Sequence, residues 1–117
     1  MPAFPTIVRK ADFEALSRGG VSASCRLLVV RARRTNDEVT RIGLSTPRGM
    51  GGAVRRNRLR RRLREAIRLR YATLPAGWDV LVIARMDASD APSSELGAAL
   101  EQLLRRAGVI PASPATA

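Results

Sequence analysis

The chain has 117 residues, enough for one domain with a single modest core and too short for two. Hydrophobic residues make up 45%, so it should fold, and the formal net charge of +11 points to a polyanionic partner, either nucleic acid or an anionic membrane surface. No run of about 18 apolar residues and no basic stretch followed by an apolar one occurs, which argues against a membrane-spanning helix and a secretory signal.

Residues 1–9 carry Pro2 and Pro5 without periodicity and read as an extended, flexible arm. "KADFEALSRGG" follows as a short helix, with Phe13 and Leu16 on one face and Gly19-Gly20 as its stop. "CRLLVVRAR" is β-branched and apolar, "RTNDE" is a polar turn and "VTRIGLST" alternates, so residues 25–46 predict two strands joined as a hairpin, with room for a third short strand between or before them. Cys25, the single cysteine, can form no internal disulfide and is expected as a buried strand thiol in a reduced, cytoplasmic setting.

"PRGMGG", residues 47–52, is a loop whose glycines expose backbone N–H groups at the start of a helix, where anions bind, although it lacks the Gly-Lys-Ser/Thr ending of a Walker loop. The helix is predicted over residues 53–71 and ends at "LPAGW". "DVLVIAR", residues 79–85, is a buried strand. Asp90 or Ser93 is placed to cap a last helix whose Leu96, Leu100, Leu103 and Leu104 share a face, with Gly108 as its stop. Residues 109–117 form a second flexible tail, and the whole chain, 1–117, is a single domain.

Charge is concentrated in the long helix. Residues 48–70 hold ten arginines and one acid, Glu65, a balance of +9. At about 100° per residue, Leu59, Leu63, Ala66, Ile67 and Tyr71 fall on one arc that docks on the sheet. On the other side Asn57, Arg61, Arg64 and Arg68 line up, with Arg55, Arg58 and Arg62 beside them. Arginines three and four apart repel, and one acid cannot offset them, so stability alone does not favour this stripe. Phosphates would neutralise it. The preference for Arg over Lys has little weight, because a GC-rich genome also supplies Arg and Ala codons.

The inventory for catalysis is thin. There is no histidine, no cluster with metal-ligand spacing and no nucleophile with a visible base, so no catalytic or metal-binding residue is expected. Asp87 and Asp90 read as turn and cap residues. A nuclease using Asp79 or Asp87 with Mg²⁺ has little support, and the main alternative to a dedicated RNA partner is a small ribosomal or nucleoid-type nucleic-acid-binding protein.

"RIGLSTPRGMGGAVRRNRLRRRLREAIR", residues 41–68, closely resembles the signature of the protein subunit of bacterial ribonuclease P, roughly R-x-G-L-S-x-x-[KR]-x-x-G-x-A-V-x-R-N-[RK]-[LIV]-[KR]-R-x-[LIV]-R-E. The likeness extends over about residues 9–106, through Asp12-Phe13, the signature and the strand from Asp79 to Arg85. The resemblance implies an α/β sandwich of the α+β class, a small mixed sheet with a left-handed β-α-β crossover, ribosomal protein S5 domain 2-like. Element order alone would choose the other hand, since about 98% of such crossovers are right-handed.

It further implies an RNA-binding subunit that assists a catalytic RNA in removing the 5′ leader of precursor tRNA, with Mg²⁺ used by the RNA. Carried over, Arg56, Asn57, Arg58, Arg60, Arg61 and Arg64, with Arg48 in the preceding loop, contact the catalytic RNA. Arg55 and Arg68 extend that face. A cleft between the first helix and the sheet takes the single-stranded leader, lined by Phe13, Leu27 and Val30. The chain departs from the family here: it has only Phe4, Phe13, Tyr71 and Trp78 as aromatics, and "STPRG" stands where a lysine-rich sequence is common.

Overall fold

The structure is a computed structural model that describes residues 4–7, 9–47, 49 and 51–111. In chain order the elements are α1 (Lys10–Gly19), β1 (Val21–Ser24), β2 (Leu28–Arg34), β3 (Arg41–Ser45), α2 (Ala53–Tyr71), β4 (Trp78–Ala84) and α3 (Ser93–Arg106). The strands form one sheet in the order β1-β2-β4-β3. β1 and β2 are antiparallel, β2 and β4 are antiparallel, and β3 runs parallel to β4, to which α2 connects it.

The expected hairpin between the second and third strands does not form. β2 makes its hairpin with the short β1, and β4 inserts between β2 and β3. Burial explains the order. β4 is buried along nearly all its length, whereas β2 and β3 alternate or are half-exposed, so β4 takes the centre, where both faces are covered. Cys25 falls in the β1–β2 turn, half-exposed rather than buried in a strand, with its N–H donating to the Leu28 carbonyl at 2.9 Å.

The sheet separates two cores. On one face Val30 and Ala32 of β2 and Val80, Val82 and Ala84 of β4 meet Leu59, Leu63 and Ile67 of α2 and Leu96, Leu100, Leu103 and Leu104 of α3. On the other, α1 lays Leu16 and Phe13 over Ile7, Leu81 and Ile83 in a much smaller cluster. The pleat produces the split, since alternate residues of one strand must face opposite ways. Leu63 is fully buried at the centre of the larger core, and Leu63→Ala should cost about 2–5 kcal/mol, read as a lower urea midpoint at unchanged slope.

Chain ends and caps also differ from expectation. Phe4 and Ile7 are buried, Ile7 donates its N–H to the Ile42 carbonyl at 3.2 Å, and Ile42 donates to that of Pro5 at 3.0 Å, so this part of the arm closes the outer edge of β3. Val109 is buried too, beyond a glycine stop at Gly108, whose φ of 83° places it in the left-handed region. Bonds from Gly108 to Arg105 and from Val109 to Leu104 complete that C-terminal motif. At the other end of α3 the N-cap is Pro92 with no side-chain cap bond, because Asp90 turns to Arg55 instead. No helix among the described residues is long and apolar enough to cross a membrane.

Candidate nucleic-acid interface

α2 runs over the residues its periodicity predicts, and Leu59, Leu63, Ala66 and Ile67 are its buried side. Its far end is tied down by a polar hub: Tyr71 Oη donates to the Thr40 carbonyl at 2.6 Å, and the Trp78 N–H donates to Thr40 Oγ1 at 3.2 Å. Gly52 caps its start without a side-chain bond, and no acid lies in the first turn. The positive end of the helix dipole therefore adds to the arginines rather than being offset.

The arginines divide by what they touch. Arg62 donates to the carbonyls of Ala91 and, at 2.7 Å, Ser89, so it clamps the turn before α3 and leaves the stripe its spacing suggested. Arg70 donates to the Ala66 carbonyl at 3.1 Å and lies against Gly97. Arg55 pairs with Asp90 at 3.2 Å, Arg60 reaches Thr46 Oγ1 at 3.4 Å, and Arg68 donates to Glu65 at 2.9 Å. Beside Arg68 the Glu65 carboxyl is held below its ordinary range, chiefly by that hydrogen bond, while Arg68 is raised by it.

Arg58, Arg61 and Arg64 are exposed and carry no ion-pair partner among the described residues. They and Asn57 are left to external anions, while Arg56 is half-buried beside them. Concave surfaces flank the helix on both sides. One, of about 530 Å³, is lined by Arg55, Arg58, Arg61, Arg62, Ser89 and Asp90; the other, of about 220 Å³, by Thr46, Arg56, Asn57 and Arg60. Arg48 lies outside the described residues.

The cleft residues need correction. Val30 is fully buried under α2 and α3, and Leu27 belongs to that same core, so neither faces α1. The register puts Val29, Arg31 and Arg33 of β2 on the α1 side, opposite Ile83, Leu81 and Asp79 of β4. The signal was present in the sequence: Ala32 between Arg31 and Arg33 marks which parity faces water. Phe13 does face the sheet, close over Gly43, where an added Cβ would lie 2.9 Å from its ring.

At the foot of α1, Arg41 grips the fully buried Asp79 with two bonds of 3.0 and 2.7 Å and reaches Asp12 at 3.3 Å. Its guanidinium is raised above the ordinary arginine range, first by the Asp79 hydrogen bond. Arg33 lies 3.7 Å from the same carboxylate. Asp87 faces Arg26 at 3.8 Å. Asp79, Asp87 and Asp90 are thus each turned toward an arginine.

A helix offering unpaired arginines on one side of a small sheet, flanked by arginine-lined concave surfaces, fits a nucleic-acid-binding protein of the α+β class. The ribonuclease P family model matches residues 1–108. The ribonuclease P protein component of Roseiflexus sp. is 40% identical over 103 residues, spanning 87% of this chain and 84% of that one. The ribonuclease P protein of Staphylococcus aureus superposes with a TM-score of 0.82 at 31% identity, over 91% of this chain and 97% of that one. That of Thermotoga maritima gives 0.78 at 29%, over 92% and 98%. The chain belongs to the ribonuclease P protein family.

Proposed function

We propose that this chain is the protein component of ribonuclease P, that α2 docks on the catalytic RNA, and that the cleft beneath α1 takes the 5′ leader of precursor tRNA. The observation that carries the reading is the presentation of Arg58, Arg61 and Arg64 on a helix whose opposite side is buried. Phosphate contacts of this kind position a partner without reading its sequence. Arg55, Arg56, Asn57, Arg60 and Arg68 add to it along the same helix, and Arg48 precedes the helix in the sequence.

Hydrolysis belongs to the RNA, with Mg²⁺ bound there. The protein's part is to hold substrate and catalyst together, and to screen phosphate repulsion between them. The setting is cytoplasmic, where precursor tRNA is made.

Reconstitution tests the proposal: a precursor tRNA is incubated at low Mg²⁺ with a bacterial ribonuclease P RNA, with and without the protein, beside a protein-only control. Leader release is expected only when both components are present. Tight RNA binding without stimulation would instead indicate a ribosomal or nucleoid-type binding protein, and cleavage by protein alone would move the chemistry onto the chain.

A further inference from the structure

The three arginines on the sheet face under α1 are not equivalent. Arg41 is held by Asp79 and Asp12, and Arg33 shares Asp79, so two carboxylates balance two guanidinium groups at the foot of the helix. Arg31 stands one row further along, between Ser22 of β1 and Leu81 of β4. It is half-exposed and has no acid within ion-pair distance among the described residues. The next row, Val29 and Ile83, is apolar and partly open. On these paired rows the sheet surface beside α1 is therefore an apolar strip with Arg31 as its unpaired cation.

Rings are scarce at the same place. Phe4 stacks on Tyr71 with centroids 5.9 Å apart, at the edge of the larger core. Trp78 is buried in that core with Arg34 over its ring at 5.3 Å. Phe13 is the one aromatic of the smaller cluster, and its ring is engaged with Gly43 and Leu81. Base stacking, the usual sequence-tolerant grip on a single strand, has little here to work with. An arginine instead offers a planar fork that matches a phosphate.

We infer that Arg31 is a specificity-determining residue of the cleft, holding the leader by a backbone phosphate, so that this protein selects for the presence of a charged, extended strand and not for its bases. The inference rests on the assignment of the cleft to the leader. It follows that leader sequence is nearly silent in this protein, whereas leader charge and ionic strength are not.

The test uses the reconstituted holoenzyme and the ratio of its affinities for a precursor with a short leader and for the same tRNA without one. Arg31→Ala, with Arg31→Gln as a variant that removes the charge but keeps a shorter polar side chain, is expected to lower that ratio by roughly tenfold, as for loss of a charge-assisted hydrogen bond. The leader-dependent salt slope should fall by about 0.7, one single-strand phosphate contact. Affinity for the catalytic RNA alone serves as the check on folding. A methylphosphonate at one leader position should reproduce the defect and add nothing to Arg31→Ala, while abasic leaders should bind as the normal one does.

If abasic leaders lose the preference and Arg31→Ala keeps it, the bases are the handle and the inference falls, with the cleft assignment intact. If the native holoenzyme binds both tRNAs equally, the cleft assignment itself falls.

Discussion

Replacing Arg41 with alanine is expected to lower stability by about 3 kcal/mol, the low end for breaking a buried ion pair. The substitution strands Asp79, whose side chain is 1% exposed, and removes the tie to Asp12 on α1. Arg33 stays 3.7 Å from the same carboxylate and keeps the loss from being larger. Arg41→Lys should recover only part of it, because an ammonium cannot make both bonds of the fork. Replacing both partners, as Arg41→Met with Asp79→Leu, should cost less than Arg41→Ala alone, since no fully buried carboxylate is then left without its main partner, although the partly exposed Arg33 and Asp12 lose theirs. Urea denaturation of the three variants decides the matter: equal losses for Arg41→Ala and the double change would mean that the pair is not what holds this corner.

Removing Arg61 and Arg64 together should leave stability almost untouched and weaken binding to the catalytic RNA across all salt concentrations. Both side chains point to solvent without a partner, so nothing in the fold depends on them. Two lost phosphate contacts at about 0.7 to 0.9 each should flatten the logarithmic salt dependence by roughly 1.4 to 1.8 units. Arg62→Ala is the informative contrast. Its guanidinium holds the carbonyls of Ser89 and Ala91, so it should destabilise the fold and shift the slope little. An unchanged slope for the double variant would place the RNA elsewhere than on this side of α2.

How far the sequence alone reaches differs from element to element. α2 was legible to the residue because its apolar ladder and its glycine start agree, and so was the leucine face of α3. Strand pairing was not. The turn at residues 35–40 is polar and short enough for a hairpin, and nothing local to β2 or β3 announces that a strand beyond α2 will come between them. Leu27 and Val30 were misplaced for a related reason: in "CRLLVVRARR" the apolar run hides the strand's parity, which only the arginines at its far end disclose. Arg62 shows the limit for charged groups, since helical spacing places a guanidinium on a face but cannot say whether a carbonyl of a later turn will take it. Arg48 lies outside the described residues, and the burial of Phe4 and Ile7 depends on β3 and Tyr71, far along the chain.

The central place of β4 bears on the order of events during folding. Its pairing to β2 joins Val30 to Val82, and its pairing to β3 crosses the whole of α2, so the sheet's middle contacts are all distant in sequence. Such closures are slow, because chain entropy is lost before the contacts return anything. Until β4 has left the ribosome the arginine segment has no surface to dock on, and its charges should keep it from collapsing by itself. Folding of this protein is therefore expected to be a late, post-translational event, with a fragment ending before Trp78 remaining unstructured.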